Sequence, residues 1–158
     1  MDSKSLSVAQ YILDAANATE EAFAVTPMQL IKLVYIAHGY MLGKHGRPLL
    51  NESVEAWRYG PVVPSVYHAV KEFHSSPVTR VPHAPKEFPF SEKEKAVMDE
   101  VTREYAKHDG IILSSATHQP GTPWYQTWQK YGKNAPISND LIERFYSDIL
   151  SKPKHSSL

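Results

Sequence analysis

The chain has 158 residues and no cysteine, and its 17 Lys and Arg balance 17 Asp and Glu to a formal charge of zero. That length suits one domain, since single domains usually run to about 100–200 residues, and zero charge removes any global electrostatic reason to expect nucleic acid or an anionic membrane as partner. The missing cysteines exclude disulfides, thiol nucleophiles and thiolate metal sites together, and they fit a reducing cytosol.

The first residues, MDSKSLSVAQ, lack the basic and apolar regions of a signal peptide, and no run approaches the roughly 18 apolar residues of a membrane span. A cytoplasmic protein is expected, with a single domain over residues 1–151 and a flexible tail over 152–158. Ser7 and Gln10 have the spacing of a capping box, and Leu6 and Tyr11 stand where a hydrophobic staple would close. Val8, Ala9, Ile12, Leu13 and Ala16 follow at helical spacing, which predicts a first helix to about Ala18.

The second helix start is stronger. Thr26 is a cap with Gln29 three residues on, Pro27 sits at the first helical position where its missing N–H costs nothing, and Val25 can staple onto Leu30. Leu30, Leu33, Val34, Ala37 and Met41 make one apolar stripe that Ile31, Tyr35 and Ile36 widen past a single face, so this helix is expected to be central. Gly43 and the Gly46-Arg47-Pro48 step are read as its end.

Leu49-Leu50 and Val54–Trp57 read as a small hairpin around Asn51-Glu52-Ser53, laid on helices with Trp57 as its anchor. Gly60-Pro61 reads as a break after the strand, with Gly60 supplying backbone freedom and Pro61 and Pro64 stiffening the turn into a third helix. Val63, Val66, Tyr67, Val70 and Phe73 carry that helix. From His74 to Phe90 four prolines and few apolar anchors predict an exposed loop, long enough to serve as a functional arm.

Ser91 and Glu94 form another capping box, leading into a helix with Val97, Met98, Val101 and Tyr105 on one side, which Asp109-Gly110 is expected to stop. Ile111 to Ala116 reads as a short helix, THQPGTPW as a turn and Tyr125 to Tyr131 as a further helical piece. Ser138 then caps the last helix, with Ile137 and Ile142 as its staple and Leu141, Phe145 and Ile149 as its face. The fold class expected is mainly α with α+β character: a compact helical domain carrying a small antiparallel β-hairpin.

Chemistry is sparse. Eight histidines include no H-x-x-x-H or H-E-x-x-H pair, so structural or solvated roles are expected and no metal. No G-x-S-x-G, phosphate-cradling or dinucleotide motif occurs, and Asp109, Ser114, Ser115 and His118 read as capping and surface polarity near a turn. No catalytic or cofactor-binding residue is expected. Lys4, Lys32, Lys44, Arg47, Arg58 and Arg80 are scattered among acids, which reads as a mixed solvated surface rather than a nucleic-acid footprint. Tyr59, Tyr67, Trp124, Tyr125 and Trp128 lie in or beside irregular segments and suit either core packing or an interface.

TPMQLIKLVYIAHGYML, the Gly-x-Pro-Leu step at Gly46–Leu49, VEAWRYGPVVPSVY and THQPGTPW, in that order, resemble the Panacea domain family, whose members include SocA-like antitoxins and phage-associated proteins. The resemblance spans about Val8 to Trp128 and is most specific in EAWRYGPVVP; Thr26, Pro27, Trp57, Gly60, Pro61 and Pro64 carry its structural signature. The helix before THQPGTPW is weaker than the family's pattern, and the Pro-rich loop is not fixed by it. The resemblance implies a mainly helical domain acting as the antitoxin of a two-gene pair, with a cognate protein toxin as partner and no substrate turned over. Because the SocA branch delivers its toxin to a ClpXP protease, it also implies an alternative, a proteolytic adaptor with a ClpXP-type protease as second partner. A hydrolase or a nucleic-acid-binding regulator is the contrasting class.

For a partner-binding groove at the hairpin exit, Arg58, Tyr59 and Val62 are placed on one side and His118 and Trp124 on the other. Trp57 is expected to act through stability, with Trp57→Ala costing about 3–5 kcal/mol for a fully buried ring.

Overall fold

Thr26 starts the helix around which the other elements pack. In a computed structural model, which describes residues 4–19 and 21–152, Thr26 has extended backbone, its Oγ1 accepts the Gln29 N–H, and Gln29 Oε1 accepts the Thr26 N–H in return at 2.9 Å. Pro27 follows at the first helical position. Helix α2, Pro27–His45, is buried without interruption from Gln29 to Leu42.

Gly43 does not end α2. The helix continues to His45 and is closed by Gly46, whose left-handed φ of 67° lets its N–H reach the Leu42 carbonyl. Gly43 is needed for a neighbour instead, because a Cβ there would lie 2.9 Å from the backbone N of Ser147, and one at Gly39 would overlap the Tyr146 ring. Both residues belong to helix α7, Asn139–Leu150, which the two glycines admit close to α2.

Helix α1, Lys4–Asn17, and helix α4, Glu92–Tyr105, pack on α2 and on each other. The capping box expected at Ser7 is absent: α1 is already helical at Lys4, and Gln10 Nε2 donates to Asp14 Oδ1 one turn on while its Oε1 accepts the Val81 N–H. A Ser-x-x-Gln spacing inside a helix looks the same in sequence. The box at Ser91 and Glu94 is formed, and Lys4 pairs with Glu94 at 2.7 Å to join α1 to α4.

The sheet departs from the expected hairpin by one segment. Strand β1, Val54–Trp57, pairs antiparallel with β2, Gly60–Val62, in the register Trp57 to Gly60, and on its other side with β3, Ala135–Ile137, in the register Val54 to Ile137. Leu49 and Leu50 form no strand, because both of their backbone N–H groups donate to His38 Nδ1 on α2. Gly60-Pro61 is not a break but part of β2, an edge strand where a proline without N–H is tolerated. Pro64 opens helix α3, Pro64–Val70, which runs into a 3₁₀ turn over Lys71–Phe73.

The Pro-rich stretch before α4 is irregular, as expected, yet it is not a free arm. Val78, Val81 and Ala84 are buried, and the Val78 N–H donates to the Val25 carbonyl at 2.7 Å. Asp109 does not stop α4, which ends at Tyr105; its carboxylate caps helix α5, Gly110–Thr117, by accepting the Ile112 N–H. Thr122 and Pro123 then open helix α6, Pro123–Tyr131. Ser138 caps α7 as expected, but the residues it buries are Ile142 and Tyr146, with Leu141, Phe145 and Ile149 only partly covered.

The architecture is thus seven helices with a small three-stranded antiparallel sheet among the described residues, mainly α with α+β character. No helix of these residues is long and apolar enough to cross a membrane. The tail expected at 152–158 lies, apart from Lys152, outside the described residues.

Candidate functional site

Arg58 and Tyr59 form the two-residue turn between β1 and β2, and three helices hold that hairpin by its carbonyls. Trp124 Nε1 of α6 donates to the Trp57 carbonyl at 2.6 Å, Ser114 Oγ of α5 to the Tyr59 carbonyl at 2.5 Å, and Lys32 Nζ of α2 to the Pro61 carbonyl at 2.9 Å. A short hairpin is marginal alone. Here every second carbonyl from Trp57 to Pro61 is tied to a different helix, so the turn is held in a fixed position.

Beside the turn lies a groove of about 470 Å³. Its apolar walls are Met28 and Ile31 of α2, Val62 of β2, Tyr67 of α3, and Trp57 and Tyr59 of the hairpin. Its basic residues are Lys32, Arg58, Lys71, His74 and Lys133, and none of the described residues lining it is acidic. Tyr59 is 62% exposed with the Arg58 guanidinium over its ring, so two of the expected partner-binding residues stand in solvent at the mouth. Val62, the third, lies in the wall.

His118 and Trp124 do not face the groove. Trp124 is 6% exposed, stacks on Trp128 and meets His118 edge-on, and His118 Nδ1 is spent on the Ser114 carbonyl. The residues that line the groove thus include Arg58, Tyr59 and Val62 but neither His118 nor Trp124. Conversely, Trp57 is only half-buried: it stands against Tyr67 with ring centres 4.9 Å apart and donates to Glu55 Oε1, forming a groove wall more than a core anchor. Of the six signature positions, Thr26 and Pro27 start α2, Trp57, Gly60 and Pro61 build the hairpin, and Pro64 starts α3.

Lys32 is not among the solvated cations expected from the sequence: it lies in the interior, 2% exposed. Burial pushes its pKa down from 10.5 to about 7, because taking the ammonium out of water disfavours the charged form. Its sequence signal was its setting: one lysine within Leu30, Ile31, Leu33 and Val34, on a helix that is apolar all round. Room for its head group comes from Gly60, whose φ of 118° would strain any other residue and where a Cβ would lie 2.9 Å from Nζ.

The sequence pattern of the antitoxin SocA-like Panacea domain matches residues 30–125, more than half of the chain. The chain belongs to the Panacea family of SocA-like antitoxins. One member, the antitoxin SocA of Caulobacter vibrioides (strain NA1000 / CB15N), is 31% identical over 155 residues, covering 90% of this chain and 79% of that protein. No solved structure matches the chain. The part matched by the Panacea pattern contains the hairpin and all three helix residues that hold its carbonyls, Lys32, Ser114 and Trp124. The start of α2, β3 and α7 lie outside it.

Proposed function

We propose that this protein is an antitoxin that neutralises a cognate protein toxin by direct binding, and that the toxin docks at the groove beside the Arg58-Tyr59 turn. The observation that carries the reading is the groove itself: aromatic and aliphatic walls, exposed Tyr59 and Arg58 at its mouth, and a hairpin held in place by three helices. Tyr, Trp and Arg are the residues that most often anchor protein interfaces, and a preformed surface loses little entropy on binding. Membership of the SocA-like antitoxin family supports a toxin as the partner.

The test is growth of a host expressing the product of the adjacent gene, with and without this protein, followed by co-purification. Rescue with a stable complex, both lost in a folded Arg58→Ser/Tyr59→Ser variant, is the expected result. A harmless neighbour, or rescue without contact, refutes direct neutralisation. Rescue that needs a ClpXP-type protease in the host identifies the adaptor reading instead.

A further inference from the structure

We infer that the groove receives an acidic side chain of the toxin, flanked by apolar residues, and that its carboxylate pairs with Lys32. The inference rests on the proposed docking of the toxin at this groove and names what the groove recognises.

An ammonium group has three N–H donors, and among the described residues the Pro61 carbonyl is the acceptor that Lys32 Nζ finds. No described carboxylate lies within ion-pairing distance of it. A buried, incompletely bonded cation is costly, and an apolar residue would fill the same space without that cost. The chain nevertheless keeps the lysine, holding it on the Pro61 carbonyl and leaving it room at Gly60, where any side chain would be strained. Such an arrangement is suited to a charge delivered from outside.

Charge and shape around Lys32 agree on what delivers it. Arg58 stands on the hairpin, Lys71 and His74 follow α3, and Lys133 precedes β3, so basic residues surround the groove with no acid among its described lining. The charge of the described lining therefore favours a negative ligand, with the Glu55 carboxylate held by the indole N–H of Trp57. At one end the apolar lining runs out onto the surface: Met28, 39% exposed, touches the start of α5, where Ile112 and Ile111 are 47% and 76% exposed. Bulky apolar side chains left in solvent next to a groove mark a surface that another chain covers. A free metabolite would leave them bare, whereas an acidic residue within an apolar stretch covers them as its carboxylate enters.

The pairing has a signature that shape alone would not give. Near pH 8 an unliganded Lys32 with a pKa of about 7 is mostly neutral, and a carboxylate beside it restores the charge, so binding takes up close to one proton. The titratable or charged groups that line the groove with it are Arg58 and Tyr59 of the hairpin, Tyr67 of α3, Lys71, His74 and Lys133, with Glu55 bonded to the wall residue Trp57; α5 presents Thr117 beside Gly60.

The experiment pans a random-peptide phage library on the full-length protein, with Lys32→Met and the surface variant Lys71→Glu in parallel, each checked for folding by circular dichroism. The expected result is enrichment of peptides with Asp or Glu between apolar residues. Affinity falls at least about tenfold in Lys32→Met, as truncating one partner of a buried charge pair predicts, and Lys71→Glu, at an exposed position, slows association and lowers its salt dependence. Calorimetry of a selected peptide in buffers of different ionisation enthalpy then shows proton uptake by the wild type and by His74→Gln, and none by Lys32→Met. Enriched peptides without an acid, or undiminished binding to folded Lys32→Met, overturn the inference. Peptides that bind through Lys32 yet leave toxin neutralisation untouched refute docking of the toxin here and leave the acidic-peptide site standing. A toxin complex that survives Lys32→Met does the reverse, leaving neutralisation standing without this contact.

Discussion

Lys32 and Pro61 lie 29 positions apart in sequence and meet at 2.9 Å, the ammonium of the central helix donating to a carbonyl of the edge strand in the space that a side chain at Gly60 would occupy. An edge strand's carbonyl ordinarily finds water. Here it binds a lysine head group that is itself almost wholly buried, so one contact fixes the hairpin, leaves an under-bonded amine at the groove, and makes the stability of the fold depend on pH.

The direction of that dependence follows from the lowered pKa. An unfolded chain keeps Lys32 protonated up to about 10.5, while the folded protein releases the proton near 7, so the fold gains stability as pH rises between these values. From pH 7 to 9 the gain attributable to this group is about 2 kcal/mol. Urea denaturation of the wild type and of Lys32→Met at both pH values isolates it: the wild type gains and the variant stays flat. Equal slopes would show that Lys32 is hydrated in the folded state. Measurements should stop near pH 9, because burial raises the phenol pKa of Tyr35, Tyr40 and Tyr146 and their ionisation opposes folding at higher pH.

His38 gives the acid side of the profile. Its Nδ1 accepts two backbone N–H groups, from Leu49 and Leu50, so the ring carries its proton on Nε2, which donates to Asn139 Oδ1 at 3.0 Å. Burial, only partly offset by the Asn139 bond, pushes the pKa down from 6.5 to about 4. The unfolded chain therefore binds a proton first on acidification, and stability present above pH 6.5 drains away towards pH 4, by about 3 kcal/mol at most. Nitrogen chemical shifts of the imidazole should report a neutral Nε2–H tautomer still at pH 5. An ordinary titration near 6.5 would contradict the buried, bonded geometry.

Which parts of this were legible in the sequence depended on how local their causes are. Thr26 with Gln29 and Ser91 with Glu94 satisfy backbone donors within one turn, so four residues suffice to announce a helix. Strand β3 could not be seen this way, since Ala135–Ile137 is a strand only because β1, some eighty positions earlier, offers it an edge. Lys32, Met28 and Lys133 entered no expected site because the groove is assembled from the start of α2, the hairpin turn, the end of α3 and the approach to β3. His118 and Trp124 pack instead against each other and, through Trp124, against Trp128, contacts that no local pattern in the sequence announces. The isolated lysine on an all-apolar helix was the one available sign of the groove's floor.

The two tryptophans of the hairpin region should now separate in their effects. Trp124→Phe keeps an aromatic ring but removes the N–H that the Trp57 carbonyl accepts, at an expected cost of about 1–3 kcal/mol for a buried carbonyl left short of its partner. To this the smaller ring adds lost packing against Trp128. Trp57→Ala should cost less than the roughly 3–5 kcal/mol of a fully buried tryptophan, because half-buried Trp57 loses less contact, while removing one wall of the groove. Partner binding therefore drops with Trp57→Ala and is retained by folded Trp124→Phe. Thermal melts paired with pull-downs of the adjacent gene's product measure both, and the opposite ordering would place the interface behind the sheet.

Gly39 tests the packing that holds α7 on α2. A methyl group there would overlap the Tyr146 ring, which sits between Tyr35 and Tyr40 with ring centres 6.0 and 5.9 Å away, so the ring has no free side to retreat to. Gly39→Ala gains helix propensity, worth about 1 kcal/mol in an open helix, but the overlap should outweigh it and leave a net loss of about 1–3 kcal/mol. Shrinking the ring should return part of the loss, so Gly39→Ala/Tyr146→Leu is expected to be more stable than the two single losses added together predict. A urea double-mutant cycle reads this coupling directly. Strict additivity would mean that α7 shifts away from α2 to admit the methyl, and that the close approach is not what fixes the last helix.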